Sequence, residues 1–490
     1  MKSIVLLSTL ILSFFAIAQT PDTGRRLLDG VSYTQDDAGL RAALTSLGTA
    51  GGEIDIPGSL VLSSQTNITT SIRIKCLGGP GYNVLNYTPS TGTALNVSSS
   101  GASFIIEGCL VKTTSASSST GMQLNFCQEC VIKDTHVNGF TGGIRLTGDG
   151  VSNHSAGVRL DNVLIDGFCG TGSYGLSIDH TRDMTLDHSR IYTTMDCTTA
   201  LDVILDQGAE GLWLGHFTME QGLHAMVVQA KNLGGSYDPA PAALWCDDCS
   251  FDSTPGGDAL LFDTSLGTAN VKFRCSQCWA RRAGIKVDGT VATSTASGVK
   301  QLGGQNIYWL GGTIEANAFY GFWMQASTGA DYELAGARVA SNNQACSSCA
   351  NSAPGIAFNP GLTNIRVEGN YSGNDPDEPG GSQYYGLYCG AGQCITIGND
   401  FSSNISGAIT GGGSETGVVY AGALSTSGSS SDNVTITGVR ASSHCTLSPT
   451  NASAAANLSA SYISAKTTNQ VTVNHSAIGG MTYDISCSSN

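Results

Sequence analysis

The phrase Leu212-Trp-Leu-Gly-His216, set beside Leu244-Trp-Cys-Asp-Asp248, decides the fold. Each places an apolar residue, an alternating residue and a second apolar residue ahead of a small polar turn. The pattern returns at Val163-Leu-Ile-Asp-Gly167, Met184-Thr-Leu-Asp-His188, Ile307-Tyr-Trp-Leu-Gly311, Tyr332-Glu-Leu-Ala-Gly336, Ile365-Arg-Val-Glu-Gly369, Ile395-Thr-Ile-Gly-Asn399 and Val434-Thr-Ile-Thr-Gly438. Successive starts differ by 184 − 163 = 21, 212 − 184 = 28, 244 − 212 = 32 and 332 − 307 = 25 residues. Such spacings fall in the ~20 to 50 residue range of stacked repeats. A second strand type lies between the phrases, as in Gly143-Ile-Arg-Leu146, Gly175-Leu-Ser-Ile178, Ala225-Met-Val-Val228 and Gly321-Phe-Trp-Met324.

Two or three short strands per repeat, with no helical period, predict an all-β solenoid, a right-handed parallel β-helix. A propeller would need four strands per blade at a regular spacing of about 40 residues. A single rung is too thin to bury its own apolar face, so it stacks on its neighbours and the ends need caps. Gln35 to Leu47 has a helical pattern with Leu40, Ala43, Leu44 and Leu47 on one face, suited to an N-terminal helical plug. It runs into Gly51-Gly-Glu-Ile-Asp-Ile-Pro-Gly58, then Leu60-Val-Leu62, Ile72-Arg-Ile-Lys75 and a Gly-rich turn at Leu77-Gly-Gly79. This opening, with the rung phrases, resembles the pectate lyase superfamily over roughly residues 30 to 440. The resemblance implies the β-helix fold and a carbohydrate-active role. The motif set of the polygalacturonases does not occur in order: Asp247-Asp248 is an isolated match, and Arg73-Ile-Lys75 lies far upstream.

The chain opens with Lys2, an apolar run from Ile4 to Phe15 and the small-x-small pattern Ala16-Ile17-Ala18, which predicts an export signal over residues 1–18. Residues 19–60 are expected to form the N-terminal segment and helical cap, 61–440 the β-helix, and 441–490 final rungs or a β-rich cap. No later stretch is apolar enough to span a bilayer. A net charge of −15 argues against nucleic acid, whose phosphates call for a basic groove. A polyanionic sugar polymer would need local Arg/Lys or a bridging Ca²⁺. The 16 Cys predict disulfides in an exported chain. Four C-x-x-C pairs occur, Cys127/Cys130, Cys246/Cys249, Cys275/Cys278 and Cys346/Cys349, with Cys389/Cys394 beside them. Because 275 − 246 = 29 residues is one rung, Cys246 should lie beside Cys275. Bridges between rungs and bridges inside each turn both remain open at this point.

The residues between the two apolar positions face outward. They are Leu164, Thr185, Trp213, Trp245 and, further along, Tyr308, an aromatic column on which pyranose rings could lie. The fourth positions supply Asp166, Asp187, Gly215 and Asp247. Asp187 and Asp247, two rungs apart, approach the ~6.5–9.5 Å carboxyl separation of inverting glycosidases. Asp166 and Asp187, one rung apart, would repel and so create a general acid, or would share a Ca²⁺. His188 and His216 follow in the same register, with Glu220, His224 and Asp248 nearby. A lyase would use a basic residue beside a sugar carboxylate, and Arg281, Arg282 and Lys286 form the compact basic cluster of the middle region. Asp187, Asp247, Asp166 and His188 are thus the expected catalytic set, and Trp213, Trp245, Tyr308 and Arg281 the expected substrate contacts. The expected function is a secreted glycoside hydrolase or polysaccharide lyase acting on an extracellular polysaccharide. A uronate epimerase and a non-catalytic adhesin or sugar-binding solenoid are the alternatives. Asp and Asn at strand ends also cap turns by accepting backbone N–H bonds, which is the structural alternative for these carboxylates.

Overall fold

The computed structural model describes residues 24–488 except 82, 99–101, 116–117, 150–153, 232–239, 346–353, 376–381, 391–393, 412–413, 416–418, 437–438, 440, 442 and 468. The proposed export signal and the Cys346/Cys349 pair lie outside the described residues.

Each rung has three strands because three runs of apolar alternation are separated by turns. Glu210–Gly215 forms the first face, Thr218–Glu220 the second and His224–Val228 the third. The next rung repeats the order with Ala242–Asp247, Ser250–Asp252 and Leu260–Phe262. All pairings along the stack are parallel; the third faces build a 13-stranded sheet, and the first two, joined around a corner, a 26-stranded one. The fold is a right-handed parallel β-helix. Register puts like on like: Leu212 pairs with Leu244, Trp213 with Trp245, Leu214 with Cys246 and Gly215 with Asp247. The inward members Leu212, Leu214, Leu244 and Cys246 are buried, and they join one continuous apolar core along the axis.

The first and second faces meet at a corner that demands left-handed backbone. Gly108, Asp134, Asn162, His188, His216, Asp248, Gln277, Gly311, Gly336, Gly369 and Gly398 occupy it, with φ from 46° to 74°. There most N–H groups reach a carbonyl of the next rung, as His188 N to Gly215 O at 3.2 Å and His216 N to Asp247 O at 3.0 Å. Gly, Asn, Asp and His tolerate this region best, which explains most of the occupants. Farther along, a buried amide ladder runs from Asn317 Nδ2 to Asn342 Oδ1 (2.8 Å) and from Gln383 Nε2 to Asn404 Oδ1 (3.0 Å), with Asn342 Nδ2 donating to Gln383 Oε1 (3.4 Å) between them.

At the N-terminus, α1 (Asp37–Leu47) is capped by the Asp36 side chain and buries Leu40, Ala43 and Leu47, as the helical pattern predicted. At the other end the parallel stack gives way to antiparallel strands. Val419–Ser427, His444–Pro449 and Gly479–Ser488 form one such sheet, and Ser431–Thr435, Tyr462–Thr467 and Gln470–Asn474 another.

Two expectations are corrected here. Asp166 does not share a column with Asp187, because Arg159–Asp166 is one unbroken strand serving two faces. Its Asp161 pairs with Asp187 on the first face, while Leu164 and Asp166 pair with Arg190 and Tyr192 on the second. The second is the expected staple at Cys246 and Cys249, which are not disulfide-bonded. Cys246 does pair in register with Cys275, but Cys275 is bonded to Cys278 inside its own turn, as are Cys127 with Cys130 and Cys389 with Cys394. Bridges that tie one rung to another are Cys76–Cys109 and Cys169–Cys197, while Cys445–Cys487 joins two antiparallel strands. Cys246 and Cys249 are buried free thiols, and burial pushes the Cys246 thiol up.

Candidate functional site

The outward residues of the first face make a continuous column, Arg159, Thr185, Trp213, Trp245, Arg274, Tyr308, Glu333 and Arg366. Trp213 and Trp245 expose 52% and 37% of their surface, more than a packing role requires. Their rings stand 6.0 Å apart at 34° and form a stepped platform. Beyond Trp245 the column sinks into a cleft of about 470 Å³ lined by Trp245, Asn270, Lys272, Arg274, Asn306, Tyr308, Leu310 and Glu333. Neither Lys272 nor Arg274 forms an ion pair among the described residues, so two positive charges face this cleft in a chain of net charge −15. Burial, with Asp331 and Glu333 adding to it, raises the Tyr308 phenol above its ordinary value.

Two positions further along the same strands runs a parallel column, Asp187, Gly215, Asp247 and Ser276. Asp247 is exposed, and the Asp187 side chain is 40% exposed. Gly215, on the rung between them, carries no side chain and is itself buried. A Cβ there would stand 3.0 Å from Asp187 Oδ1, so any side chain would crowd the space between the carboxylates. Asp187 Oδ1 accepts the His188 backbone N–H at 3.0 Å and lies 3.1 Å from His188 Nδ1 and 3.2 Å from His216 Nδ1. The two imidazoles stack, with centroids 4.7 Å apart and planes within 9°.

The first face therefore brings together Asp187, Asp247, His188, Trp213, Trp245 and Tyr308. Asp166 and Arg281 lie on the second face. Asp166 is buried, which alone would raise its carboxyl, but hydrogen bonds from His136 (2.8 Å), Asn138 and Tyr192 (2.8 Å) hold it below the usual carboxylate range. Arg281 Nε lies 3.7 Å from Glu315 Oε1, and Arg282 is bonded to Asp252 at 2.7 Å. Two members of the basic cluster seen in the sequence, Arg281 and Arg282, thus face carboxylates and lie away from Trp213 and Trp245. Lys272 and Arg274 take the place expected of Arg281, and the Cys246/Cys275 register was the signal that could have found them, since Arg274 immediately precedes Cys275 as Trp245 precedes Cys246.

Fold and site define the class: a right-handed parallel β-helix with an exposed aromatic and carboxylate column along its first face. No protein-family model matches the chain, and no curated protein does. Among solved structures, the pre-mature gene product 12 of bacteriophage phi29 is similar at 12% identity and a TM-score of 0.54, over 83% of this chain and 57% of that one. A tailspike mutant of the E. coli bacteriophage HK620, in complex with a pentasaccharide, is similar at 11% identity and a TM-score of 0.50, over 95% and 94% of the two chains. The A-module of a mannuronan C-5 epimerase from Azotobacter vinelandii aligns at 13% identity and a TM-score of 0.48, over 79% and 96%.

Proposed function

We propose that the chain is a secreted glycoside hydrolase that cleaves an extracellular polysaccharide lying along the first face. The observation that carries this reading is the side-chain-free position Gly215 between Asp187 and Asp247, beside the exposed Trp213–Trp245 platform. Two strand spacings of ~4.8 Å separate the backbones of the two Asp residues, and side-chain reach brings the carboxyls toward the ~6.5–9.5 Å at which an inverting pair holds a water. Asp187, fixed by the His188 N–H, takes the role of base, and the exposed Asp247 that of acid. Trp213 and Trp245 carry the sugar rings, and the HK620 tailspike of the same fold holds a pentasaccharide. Secretion rests on the leader over residues 1–18 and on the disulfides, which belong to oxidising compartments.

The cationic cleft favours a second reading. Lys272 and Arg274 beside Tyr308 would suit a lyase, which needs a base next to a neutralised sugar carboxylate. One experiment separates the two readings. Purified protein is incubated with a panel of neutral and acidic polysaccharides, and reducing ends and the ultraviolet absorbance of unsaturated products are followed together. Reducing ends without absorbance, lost about 100- to 10,000-fold in Asp187→Asn or Asp247→Asn, support the hydrolase. Unsaturated product identifies a lyase, and no turnover on any polymer leaves a binding protein.

A further inference from the structure

The Asp187, His188 and His216 side chains converge in a way that a general base does not need. We propose that they form a binding site for a divalent transition-metal ion of the zinc class. Their donor atoms, Asp187 Oδ1, His188 Nδ1 and His216 Nδ1, lie within 4.8 Å of one another, and the two nitrogens stand 3.1 and 3.2 Å from the oxygen. Around a tetrahedral zinc with bonds of about 2.0–2.2 Å, donor atoms stand about 3.3–3.5 Å apart. Small side-chain rotations therefore suffice to admit an ion.

The convergence is a product of the fold. His188 and His216 hold the same corner position on consecutive rungs, with φ of 48° and 47°, so both rings leave the corner in one direction. They stack at 4.7 Å, close to the ~4.8 Å rise between strands. Asp187 closes the triangle because Gly215, beside it on the next rung, has no side chain to displace its carboxyl. Two imidazoles and one carboxylate are the donors of zinc, copper and nickel sites, whereas Ca²⁺ takes six to eight oxygens. Three protein ligands on an exposed corner leave a fourth position to solvent, as in sites that keep an open coordination place.

The site stands apart from the hydrolase reading, but one consequence rests on it: an ion that ligates Asp187 withdraws the carboxylate assigned as base, so zinc inhibits cleavage. The test uses untagged full-length protein, stripped with a chelator, and titrates it with Zn²⁺ by calorimetry and with Co²⁺ by visible absorption. One ion per chain is expected, with the intense bands of tetrahedral cobalt. His188→Gly and His216→Gly place at the corner the residue that Gly311 and Gly336 already supply there, so the backbone is kept. Each should weaken the ion at least about 100-fold, since losing even an outer-shell partner costs 10- to 100-fold. Absence of stoichiometric uptake overturns the site, as does uptake unchanged in the double variant, which would put the ion elsewhere. Cleavage is assayed separately on the polymer found active. Zinc that binds without slowing cleavage upholds the site and overturns only the base assignment.

Discussion

A single missing side chain organises the groove. Gly215 has an ordinary backbone, and its role is the room it leaves: the Cβ of Gly215→Ala would meet Asp187 Oδ1, the end of a side chain free to shift. This variant should fold with an unfolding temperature close to that of the parent. It should nevertheless lose cleavage at least tenfold through kcat, because the methyl occupies the water's place between the carboxylates. Unchanged kcat would remove the gap from the mechanism. Trp245→Ala tests the platform instead. The loss should fall on sugar affinity, about tenfold for ~1.4 kcal/mol, read as a raised KM or dissociation constant, with some loss of stability from the buried part of the indole. A third residue, buried and away from the groove, makes stability depend on pH. Asp202 is fully buried, and burial, with Glu220 adding to it against the opposing Gly222 N–H, pushes its pKa well above the ordinary value. The folded pKa lies above the unfolded ~3.9, so the neutral carboxyl's contribution is present below that value and is lost as pH rises through the folded pKa. Asp202→Asn does not ionise. Its unfolding temperature relative to the parent should therefore climb as pH rises above about 4, and a pH-independent difference would refute the assignment.

At the scale of strands and turns, what could be read from residues was the alternation, and what could not was the path of the chain between alternating runs. Leu212-Trp-Leu and Leu244-Trp-Cys announce their register because inward positions must be apolar, and the structure keeps that register. Val163-Leu-Ile-Asp-Gly167 reads as the same local phrase, yet it belongs to the second face, since the unbroken strand Arg159–Asp166 carries both faces with Asn162 turning the corner at φ 52°. A left-handed residue inside a strand leaves no mark in a pattern of apolar and polar residues. The cationic cleft was hidden for a related reason. In Val271-Lys-Phe-Arg-Cys275 the third inward residue is a cysteine, so the run reads as a bridge motif although Lys272 and Arg274 point outward. The amide ladder at another corner gives this scale its prediction. Asn342 Oδ1 accepts from Asn317, and Asn342 Nδ2 donates to Ile314 O and Gln383 Oε1, all buried. Asn342→Leu leaves those partners unsatisfied at ~1–3 kcal/mol each. Hydrogen exchange should accelerate in the rungs around Ile314 and Gln383 while the rungs near Trp213 stay protected; uniform protection would show that the ladder is not what holds those rungs.

The whole molecule is a one-dimensional stack, and its integrity depends on how the two ends are closed. At the C-terminal end the chain changes from parallel rungs to antiparallel sheets. At the N-terminal end the closure is thinner. Arg25–Leu27 pairs along Gly52–Ile56, and α1 buries Leu40, Ala43 and Leu47 against the core that also contains Ile54 and Leu60. Removing residues 24–47 would bare both the backbone edge of Gly52–Ile56 and the apolar end of the stack, the combination that templates strand addition from another chain. The truncated protein should therefore associate with itself through that end, seen as growth in mass by light scattering with rising concentration. Placing charge there should reverse it: Ile54→Lys in the truncated chain puts an ammonium on the exposed end and should return it toward monomer. If the truncated chain stays monomeric and melts with the parent, the first rung closes itself and α1 is an ornament on a stack stabilised entirely from within.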